Sequence, residues 1–217
     1  MARGHEALQE VLALLLPVEC AGCGEPGPPL CRRCETQLQP HPATRTLPCG
    51  MRVTSALWFE QVPARVLRAL KQDGRTGLAR ALGEALAAAV VAAGIDGPVR
   101  FVPVPSSRAA FRRRGYHVGE LLMRRARLPV TRLLRPVRAT VDQRGLGRVA
   151  RAGNVRGSLA ARPVPGVRVV LVDDVVTTGA TLSEAYRALR AAGAEVVCAV
   201  TVAATPRRAD TGGARAS

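Results

Sequence analysis

A short segment that joins an apolar run to two acids and a small-residue loop constrains this chain more than any other feature. The segment, residues 167–181, reads VRVVLVDDVVTTGAT. Its first part, residues 167–172, is a near-continuous run of β-branched and apolar residues that is too short for a core helix. Such a run predicts a strand that is buried on both faces. The strand is expected to end where two adjacent carboxylates, Asp173 and Asp174, follow.

Small polar residues after the two acids predict a loop that leads into a helix. Residues 177–181 read TTGAT and contain a glycine where the backbone must turn tightly. The apolar residues that then recur at helical spacing are Leu182, Ala185, Tyr186 and Leu189. Gly193 follows as a typical helix stop. The segment therefore predicts a strand, a polar loop and a helix.

This unit predicts a sugar-phosphate site, because ligands of open α/β sheets lie outside the carboxyl ends of the strands. A loop of small residues at a helix N-terminus presents free backbone N–H groups, which suit a phosphate. Thr177, Thr178 and Thr181 can add hydroxyl donors. Asp173 and Asp174 can accept hydrogen bonds from hydroxyl groups or act as partners of a hydrated Mg²⁺. A phosphate beside a diol describes a sugar phosphate.

Three other interpretations of the segment compete with this one. A Walker B strand would need a P-loop, but the only lysine, Lys71, is followed by Gln72, so the chain has no GK[ST] motif. A dinucleotide-binding fold would need G-x-G-x-x-G after a strand, and none follows one here. A core strand whose loop binds nothing remains, but it would not need paired acids together with a Thr/Gly loop.

The segment resembles the phosphoribosyl-pyrophosphate (PRPP) motif of type I phosphoribosyltransferases: an apolar strand, two acids, two variable residues and a T-x-G/T-G-x-T loop. The resemblance implies that the acids hold the ribose 2′- and 3′-hydroxyls and that residues 177–181 hold the 5′-phosphate. The implied PRPP-binding residues are Asp173, Asp174, Val175, Val176, Thr177, Thr178, Gly179, Ala180 and Thr181.

Length and composition limit the classes of protein to consider. The 217 residues are enough for one domain with a sizeable core and a small appendage. No apolar run reaches membrane-spanning length, and residues 12–18 lack the flanks of a signal peptide, so a cytoplasmic protein is expected. The formal net charge of +16 favours anionic partners such as phosphates, nucleic acid or an acidic protein. Aromatic residues form only 3% of the chain, which argues against a platform for stacking single-stranded bases.

Two C-x₂-C pairs near the N-terminus predict a metal site. Cys20 and Cys23 form one pair, and Cys31 and Cys34 form the other. In a cytosolic protein this spacing is typical of a structural Zn²⁺ with four thiolate ligands rather than of a disulfide framework. A redox C-x-x-C site is the alternative, but it would not need two copies. Cys49 stands alone; it is either a remnant ligand or, as the favoured interpretation, a plain small residue.

The remaining elements follow from periodicity and turn residues. Strands are expected at residues 53–59, 99–104, 130–134 and 195–203, and helices at residues 5–16, 62–72 and 78–93. Residues 35–50 have no period and contain four prolines or glycines, which predicts a loop and the domain boundary. The predicted organisation is an N-terminal helix and zinc ribbon over residues 1–50, the main domain over 51–205 and a disordered tail over 206–217.

Basic residues at the end of the predicted helix 62–72 and after the predicted strand 99–104 are candidates for stabilising phosphate charge. Lys71 is a compact point charge in a chain that otherwise uses arginine, although a chance surface lysine would look the same. A second group follows the strand at 99–104, where guanidinium groups could pair phosphates bidentately; a solvated basic turn is the alternative. This group is Pro105, Ser106, Ser107, Arg108 and Arg112.

Residues 101–122, FVPVPSSRAAFRRRGYHVGELL, resemble the ComF-type branch of competence-associated phosphoribosyltransferase-like proteins. Members of that branch carry V-P-V-P, a basic segment, R-G-[FY]-N-Q and then a helix, besides an N-terminal cysteine ribbon and an L-K-x-x-G segment. Here His117 and Val118 replace the usual Asn and Gln, so the role of His117 is open. The resemblance also implies a flexible loop that closes over PRPP and carries Arg138, Thr140 and Gln143.

The resemblance implies a type I phosphoribosyltransferase fold, an α/β parallel sheet flanked by helices, with a small N-terminal zinc-ribbon segment. Its implied activity is transfer of phosphoribosyl from Mg-PRPP to an unidentified acceptor, with Lys71, Arg108, Arg112 and Mg²⁺ stabilising the leaving pyrophosphate. Purine transferases often carry an acid where Thr177 stands, so an amine or another nucleophilic acceptor fits better. The alternative is a non-catalytic PRPP or nucleotide sensor, or an accessory protein in DNA uptake. Single-stranded DNA, DNA-uptake proteins and a second copy of the chain are the further candidate partners.

Overall fold

The computed structural model describes residues 18–137 and 156–206, and these ranges contain seven strands and six α-helices. The strands are β1 (Ala43–Thr46), β2 (Arg52–Trp58), β3 (Arg100–Pro103), β4 (Leu134–Pro136), β5 (Leu159–Ala161), β6 (Arg168–Val176) and β7 (Glu195–Ala204). The helices are α1 (Arg32–Thr36), α2 (Gln61–Gln72), α3 (Ala79–Ala92), α4 (Arg108–Arg114), α5 (Val118–Arg125) and α6 (Ala180–Ala191).

Five strands form one sheet in the order β1-β2-β7-β6-β3. β1 runs antiparallel to β2, whereas β2, β7, β6 and β3 are parallel, so the carboxyl ends of these four strands meet at one edge. Val172 of β6 pairs with Val200 of β7 on one side and with Pro103 of β3 on the other. The predicted α/β class, a largely parallel sheet flanked by helices, is confirmed.

The central strand β6 is buried on both faces, as its apolar run predicts. Val169, Val170 and Leu171 are 0% exposed and Val172 is 1% exposed. Val170 and Val172 join the core cluster that includes α2, α3 and α5, whereas Val169 and Leu171 join the cluster that includes α6. Because side chains alternate along a strand, the next two residues, the paired acids, also leave the strand on opposite faces.

The sequence predicted that β6 ends at the two acids, but the strand continues to Val176. Val175 and Val176 pair with Ala203 and Ala204, because β7 is long enough to extend the ladder. The acids therefore stand on a regular strand with fixed backbone hydrogen bonds rather than at the start of a loop.

The strand predicted at residues 130–134 is wrong except for its last residue. β4 begins at Leu134 and pairs antiparallel with β5 in a separate two-stranded sheet. Upstream of it, Thr131 N–H donates to the Phe101 carbonyl at 3.0 Å, and Val130 packs against the core without a ladder of its own. An apolar run that is buried without strand pairing has the same sequence pattern as a strand.

β1 lies within residues 35–50, where a loop was expected. Its four residues are exposed apart from Arg45, which is half-buried, so the alternation that signals a strand is missing. The strand is held by its pairing with β2, where the hydroxyl oxygens of Thr44 and Thr54 lie 2.8 Å apart. It adds an antiparallel edge to the main sheet.

The cysteine segment packs on the main sheet's helical layer. Cys20, Cys34 and Leu38 belong to the same buried cluster as Val62 and Val66 of α2. The division of the chain at residues 50 and 205 stays a prediction.

Several predicted features lie outside the described residues. They are the helix at residues 5–16, the flexible-loop residues Arg138, Thr140 and Gln143, and the tail beyond residue 206. Within the described ranges, every helix is too short or too polar to cross a bilayer.

Candidate functional site

The two acids of β6 face different surroundings. Asp174 continues the face that packs against α2, and its Oδ1 accepts a hydrogen bond from Lys71 Nζ at 2.8 Å. Asp173 lies on the other face and lines a small cavity with the loop that follows β6. The structure thus brings the predicted Lys71 to one acid and the predicted phosphate loop to the other.

Asp173 has an environment that disfavours its charge. Burial, together with the charge of the neighbouring Asp174, raises the pKa of Asp173 to about 8. The Asp174 N–H, which donates to Asp173 Oδ1 at 2.8 Å, and the more distant Lys71 offset only part of this effect. A carboxyl group that holds its proton at neutral pH can donate a hydrogen bond as well as accept one.

The loop of residues 177–179 connects β6 to α6 and borders a cavity of about 30 Å³. Gly179 ends the loop with a left-handed φ of +84°, which favours glycine. Among the described residues, the backbone N–H groups of Thr178 and Gly179 have no hydrogen-bond acceptor. Free N–H groups at the start of a helix of 12 residues can bind an anion.

The β1–β2 hairpin contacts this loop and holds it in position, which the sequence analysis did not predict. Arg45 of β1 donates to the carbonyl oxygens of Val176 at 3.1 Å and Thr177 at 2.8 Å. Leu47 packs against Gly179 so closely that a Cβ added to the glycine would lie 2.5 Å from Leu47 Cδ2. The segment that was predicted to be a loop therefore contributes to the site.

A larger cavity of about 410 Å³ opens beside the end of β3. Pro105, Ser106 and Arg112 line it, so the structure places these three predicted pyrophosphate residues at one cavity. The Val104 N–H donates to the Val172 carbonyl at 2.8 Å, which puts the cavity next to the strand position that precedes the acids. Phe111 and His117 also line the cavity, and their rings stack with centroids 4.5 Å apart.

Ser107 and Arg108, the other two residues of that group, lie at the start of α4. Ser107 is the N-cap of α4, where its Oγ accepts a hydrogen bond from the Ala110 N–H at 3.2 Å. Arg108 is the first residue of α4. Residues 104–107 thus connect the end of β3 to the start of α4.

The R-G-Y sequence before α5 positions the helix that carries Lys71. Arg114 Nε donates to the Lys71 carbonyl at 2.6 Å, and the Tyr116 hydroxyl donates to the Leu70 carbonyl. These bonds satisfy carbonyl groups in the last turn of α2. The segment after β3 therefore holds the end of α2 that carries Lys71.

The four predicted metal ligands come together. The sulfur atoms of Cys20, Cys23, Cys31 and Cys34 all lie within 4.8 Å of one another, and those of Cys23 and Cys31 are 3.9 Å apart. A tetrahedral ion with bonds of about 2.3 Å needs sulfur atoms about 3.8 Å apart, so the cluster could hold a metal ion. Gly22 is required beside it, because a Cβ there would lie 2.6 Å from Cys34 Sγ.

The thiols of this cluster differ in acidity. Burial raises the pKa of Cys34 to about 12, and its thiol neighbours add to that effect. Burial acts in the same direction on Cys20, but backbone N–H groups, chiefly that of Cys31, outweigh it and lower the pKa of Cys20 to about 6. Cys20 is thus prepared to act as a thiolate ligand.

Comparison with known proteins gives a phosphoribosyl transferase domain and relatives named for DNA utilization and competence. Residues 113–212 match the model of the phosphoribosyl transferase domain. The DNA utilization protein YhgH of Escherichia coli K12 is 31% identical over 180 residues, which cover 72% of this chain and 78% of that protein. Competence protein F of Haemophilus influenzae is 34% identical over 109 residues, covering 46% of this chain and 48% of that protein.

Among solved structures, the adenine phosphoribosyltransferase of Saccharomyces cerevisiae is 13% identical to this chain, with a TM-score of 0.40. The alignment covers 80% of this chain and 89% of that chain.

Proposed function

The chain belongs to the ComF family of proteins that carry a phosphoribosyl transferase domain, and from this premise we propose that it binds PRPP with Mg²⁺. The observation that carries the proposal is the placement of Lys71, the paired acids and the phosphate loop around the end of β6. In this proposal the loop holds the 5′-phosphate through the N–H groups of Thr178 and Gly179. Asp173 and Asp174 accept hydrogen bonds from the ribose hydroxyls.

The carboxylates also fit a Mg²⁺ ion or its waters, since oxygen ligands are those that Mg²⁺ prefers. When bound, Mg²⁺ would offset the negative charge of the pyrophosphate. The chain's own contribution to that charge comes from Lys71 and from Arg112, which lines the larger cavity with Pro105 and Ser106. Arg108, at the start of the adjoining helix α4, is the third proposed cationic residue.

The proposed reaction is transfer of the phosphoribosyl group to a nucleophilic acceptor. The acceptor forms a bond to the anomeric carbon while the carbon–oxygen bond to pyrophosphate breaks and its electron pair leaves with the pyrophosphate. Cationic side chains stabilise the charge that develops on the leaving oxygens. Thr177 offers no general base at neutral pH, so an acceptor that is already nucleophilic, such as an amine, fits better.

A structural Zn²⁺ in the thiol cluster completes the proposal. Four thiolates leave no open coordination position, so the ion would stabilise the fold and take no part in the reaction. The cluster shares a buried core with α2, the helix that carries Lys71.

A second candidate function is a DNA-associated accessory role without catalysis. Its support is the formal charge of +16 and the names of relatives that refer to DNA utilization and competence. In that case PRPP or a nucleotide would be a regulatory ligand.

Calorimetric titration with Mg-PRPP tests the binding proposal, and saturable binding at about one site per chain is expected. Incubation with PRPP and a pool of small amines, followed by ³¹P detection of pyrophosphate, separates the two functions. Pyrophosphate release that depends on an amine supports transfer. Binding without release supports the accessory role, and the absence of binding contradicts both uses of PRPP.

A further inference from the structure

We propose that Arg45 is a positioning residue that sets the direction of the phosphate loop's N–H groups; this inference rests on the proposed PRPP site. Arg45 Nη2 donates to the carbonyl oxygens of Val176 and Thr177 at 3.1 and 2.8 Å, and Nη1 donates to that of Thr205 at 3.1 Å. One guanidinium group therefore joins the ends of the neighbouring strands β6 and β7 at the start of the loop.

The direction of a carbonyl group fixes the direction of the N–H group in the same peptide unit. In a trans peptide the two bonds point to opposite sides of the chain. Since the Val176 and Thr177 carbonyls point to Arg45, the N–H groups of Thr177 and Thr178 point away from it. A flipped unit would instead present a carbonyl oxygen to the phosphate, and two negative groups would face each other.

The Val176 and Thr177 carbonyl groups depend on Arg45 to different extents. This oxygen already accepts the Thr205 N–H at 2.9 Å as part of the sheet, so its direction is fixed by the ladder as well. The Thr177 carbonyl lies beyond the strand and has Arg45 as its only donor among the described residues. The peptide that carries the Thr178 N–H is therefore the one that Arg45 holds.

Leu47, two residues further along the hairpin, fixes the other end of the loop. Its side chain is 2% exposed and touches Gly179, whose left-handed backbone reverses the chain into α6. The loop is thus held at its first residue by hydrogen bonds from Arg45 and at its last residue by packing. A loop that is preorganised in this way loses less conformational entropy on binding a phosphate.

The chemistry requires arginine at this position. A guanidinium group has donors in a planar fork and can serve three acceptors at once, whereas an ammonium group is a single point charge on a flexible stem. Lysine would keep the positive charge near the loop without joining the three carbonyls. Charge and geometry can therefore be separated by two substitutions, Arg45→Lys and Arg45→Met.

The test compares ligands with and without the 5′-phosphate on the full chain. Ribose 5-phosphate and Mg-PRPP need the loop, whereas Mg-pyrophosphate needs only the cationic residues and the metal. For Arg45→Met we expect the affinity for ribose 5-phosphate and Mg-PRPP to fall about tenfold to a hundredfold, as for a weakened charged hydrogen bond. The affinity for Mg-pyrophosphate should stay within about twofold, and Arg45→Lys should behave like Arg45→Met.

Arg168→Met is the matched control. Arg168 is the first residue of β6, at the amino ends of the parallel strands and away from the loop, and its Nη1 donates to the Asp96 carbonyl at 2.6 Å. This variant should leave all three affinities unchanged. Amide hydrogen exchange of residues 176–181 gives a second, ligand-free measurement, and exchange should be faster in Arg45→Met than in the control.

Equal binding of ribose 5-phosphate by wild type and Arg45→Met would overturn the assignment, as would a full rescue by Arg45→Lys. Loss of all three ligands, or an unfolded Arg45→Met chain, would show a general structural role and would overturn it too. A wild-type protein that binds neither PRPP nor ribose 5-phosphate would contradict the proposed function itself, and the Arg45 assignment with it.

Discussion

Lys71 Nζ lies 2.8 Å from Asp174 Oδ1 and joins the only lysine of the chain to the second acid of the candidate ribose site. The two residues are 103 positions apart in the sequence and stand on α2 and β6. Their side chains are 27% and 15% exposed, so the pair is partly shielded from water. The cation proposed to stabilise pyrophosphate therefore also balances the charge of Asp174.

Replacement of Lys71 should weaken PRPP binding more than it weakens the fold. We expect Lys71→Gln to lower the affinity for Mg-PRPP about tenfold, since one charged contact is lost. The unfolding temperature should fall modestly, because Lys71 is partly exposed but Asp174, which is 15% exposed, loses its charge partner. Titration and thermal melting measure both. Arg80→Gln, which removes an exposed ion pair with Glu84, is the control, and equal affinity in Lys71→Gln and wild type would contradict the role of Lys71.

Substitution of both acids should abolish most ribose recognition. Asp173→Asn with Asp174→Asn keeps the shapes of the side chains, replaces one acceptor oxygen of each by an amide and removes the charge of Asp174. One charged contact of roughly 1.5 kcal/mol and one neutral contact of roughly 1 kcal/mol together correspond to a loss of about fiftyfold to a hundredfold in affinity for Mg-PRPP. Stability should stay level or rise, because asparagine at position 173 removes the cost of placing an acid beside Asp174. A double variant that binds PRPP as tightly as wild type, or that does not fold, would exclude the acids as the ribose site.

The raised pKa of Asp173 predicts a specific pH dependence of stability. The folded protein holds the Asp173 proton up to about pH 8, whereas an unfolded aspartate loses it near pH 3.9. Between these values the folded state binds more protons, so this residue makes stability fall as pH rises, and the fall ends above about pH 8. Asp173→Asn removes the effect. The melting temperature of the variant minus that of wild type should therefore increase from pH 5 to pH 8.5.

Asp96→Asn serves as the reference in that experiment, because Asp96 lies in the loop before β3, far from the acids in the sheet. Its difference from wild type should show no comparable slope. A flat difference for Asp173→Asn as well would mean that Asp173 is ionised in the folded protein at neutral pH.

Local patterns predicted the strand–loop–helix unit well. The apolar run of β6 is buried on both faces, and α6 ends before Gly193, whose φ of +89° is the left-handed conformation of a helix stop. These features depend on residues that are close in sequence, so their pattern can be read along the chain. The clustering of the four cysteines was also predictable, because ligand spacing is itself local.

Contacts between distant segments could not be predicted in this way. Arg45 is 131 positions from Val176, and Arg114 is 43 positions from Lys71. Lysine and arginine together make up 32 of the 217 residues, and all but one are arginine, so no single arginine stands out by type. Only the topology, which brings the β1–β2 hairpin beside the phosphate loop, gives Arg45 its place.

Zinc binding should depend on the cluster and not on the other thiols. Purified protein should contain about one Zn²⁺ per chain by elemental analysis, and Cys34→Ser should lose most of it and melt at a lower temperature. Cys49→Ser is the control, since Cys49 lies near Ser183 of α6 and outside the cluster. A folded, metal-free wild-type protein would contradict the zinc site.

The basic surface should bind DNA through phosphate contacts. The formal charge is +16, and the last turn of α4 carries consecutive arginines, of which Arg112 and Arg113 are exposed. Such contacts release counterions, so the logarithm of the affinity should fall linearly with the logarithm of the salt concentration. Fluorescence anisotropy with unrelated single- and double-stranded sequences should give similar affinities, because phosphates carry no base sequence. Arg113→Gln should reduce by about one the slope of the logarithm of affinity against the logarithm of salt concentration, with no change in sequence preference. The absence of binding at low salt would eliminate a direct role for the surface in DNA binding.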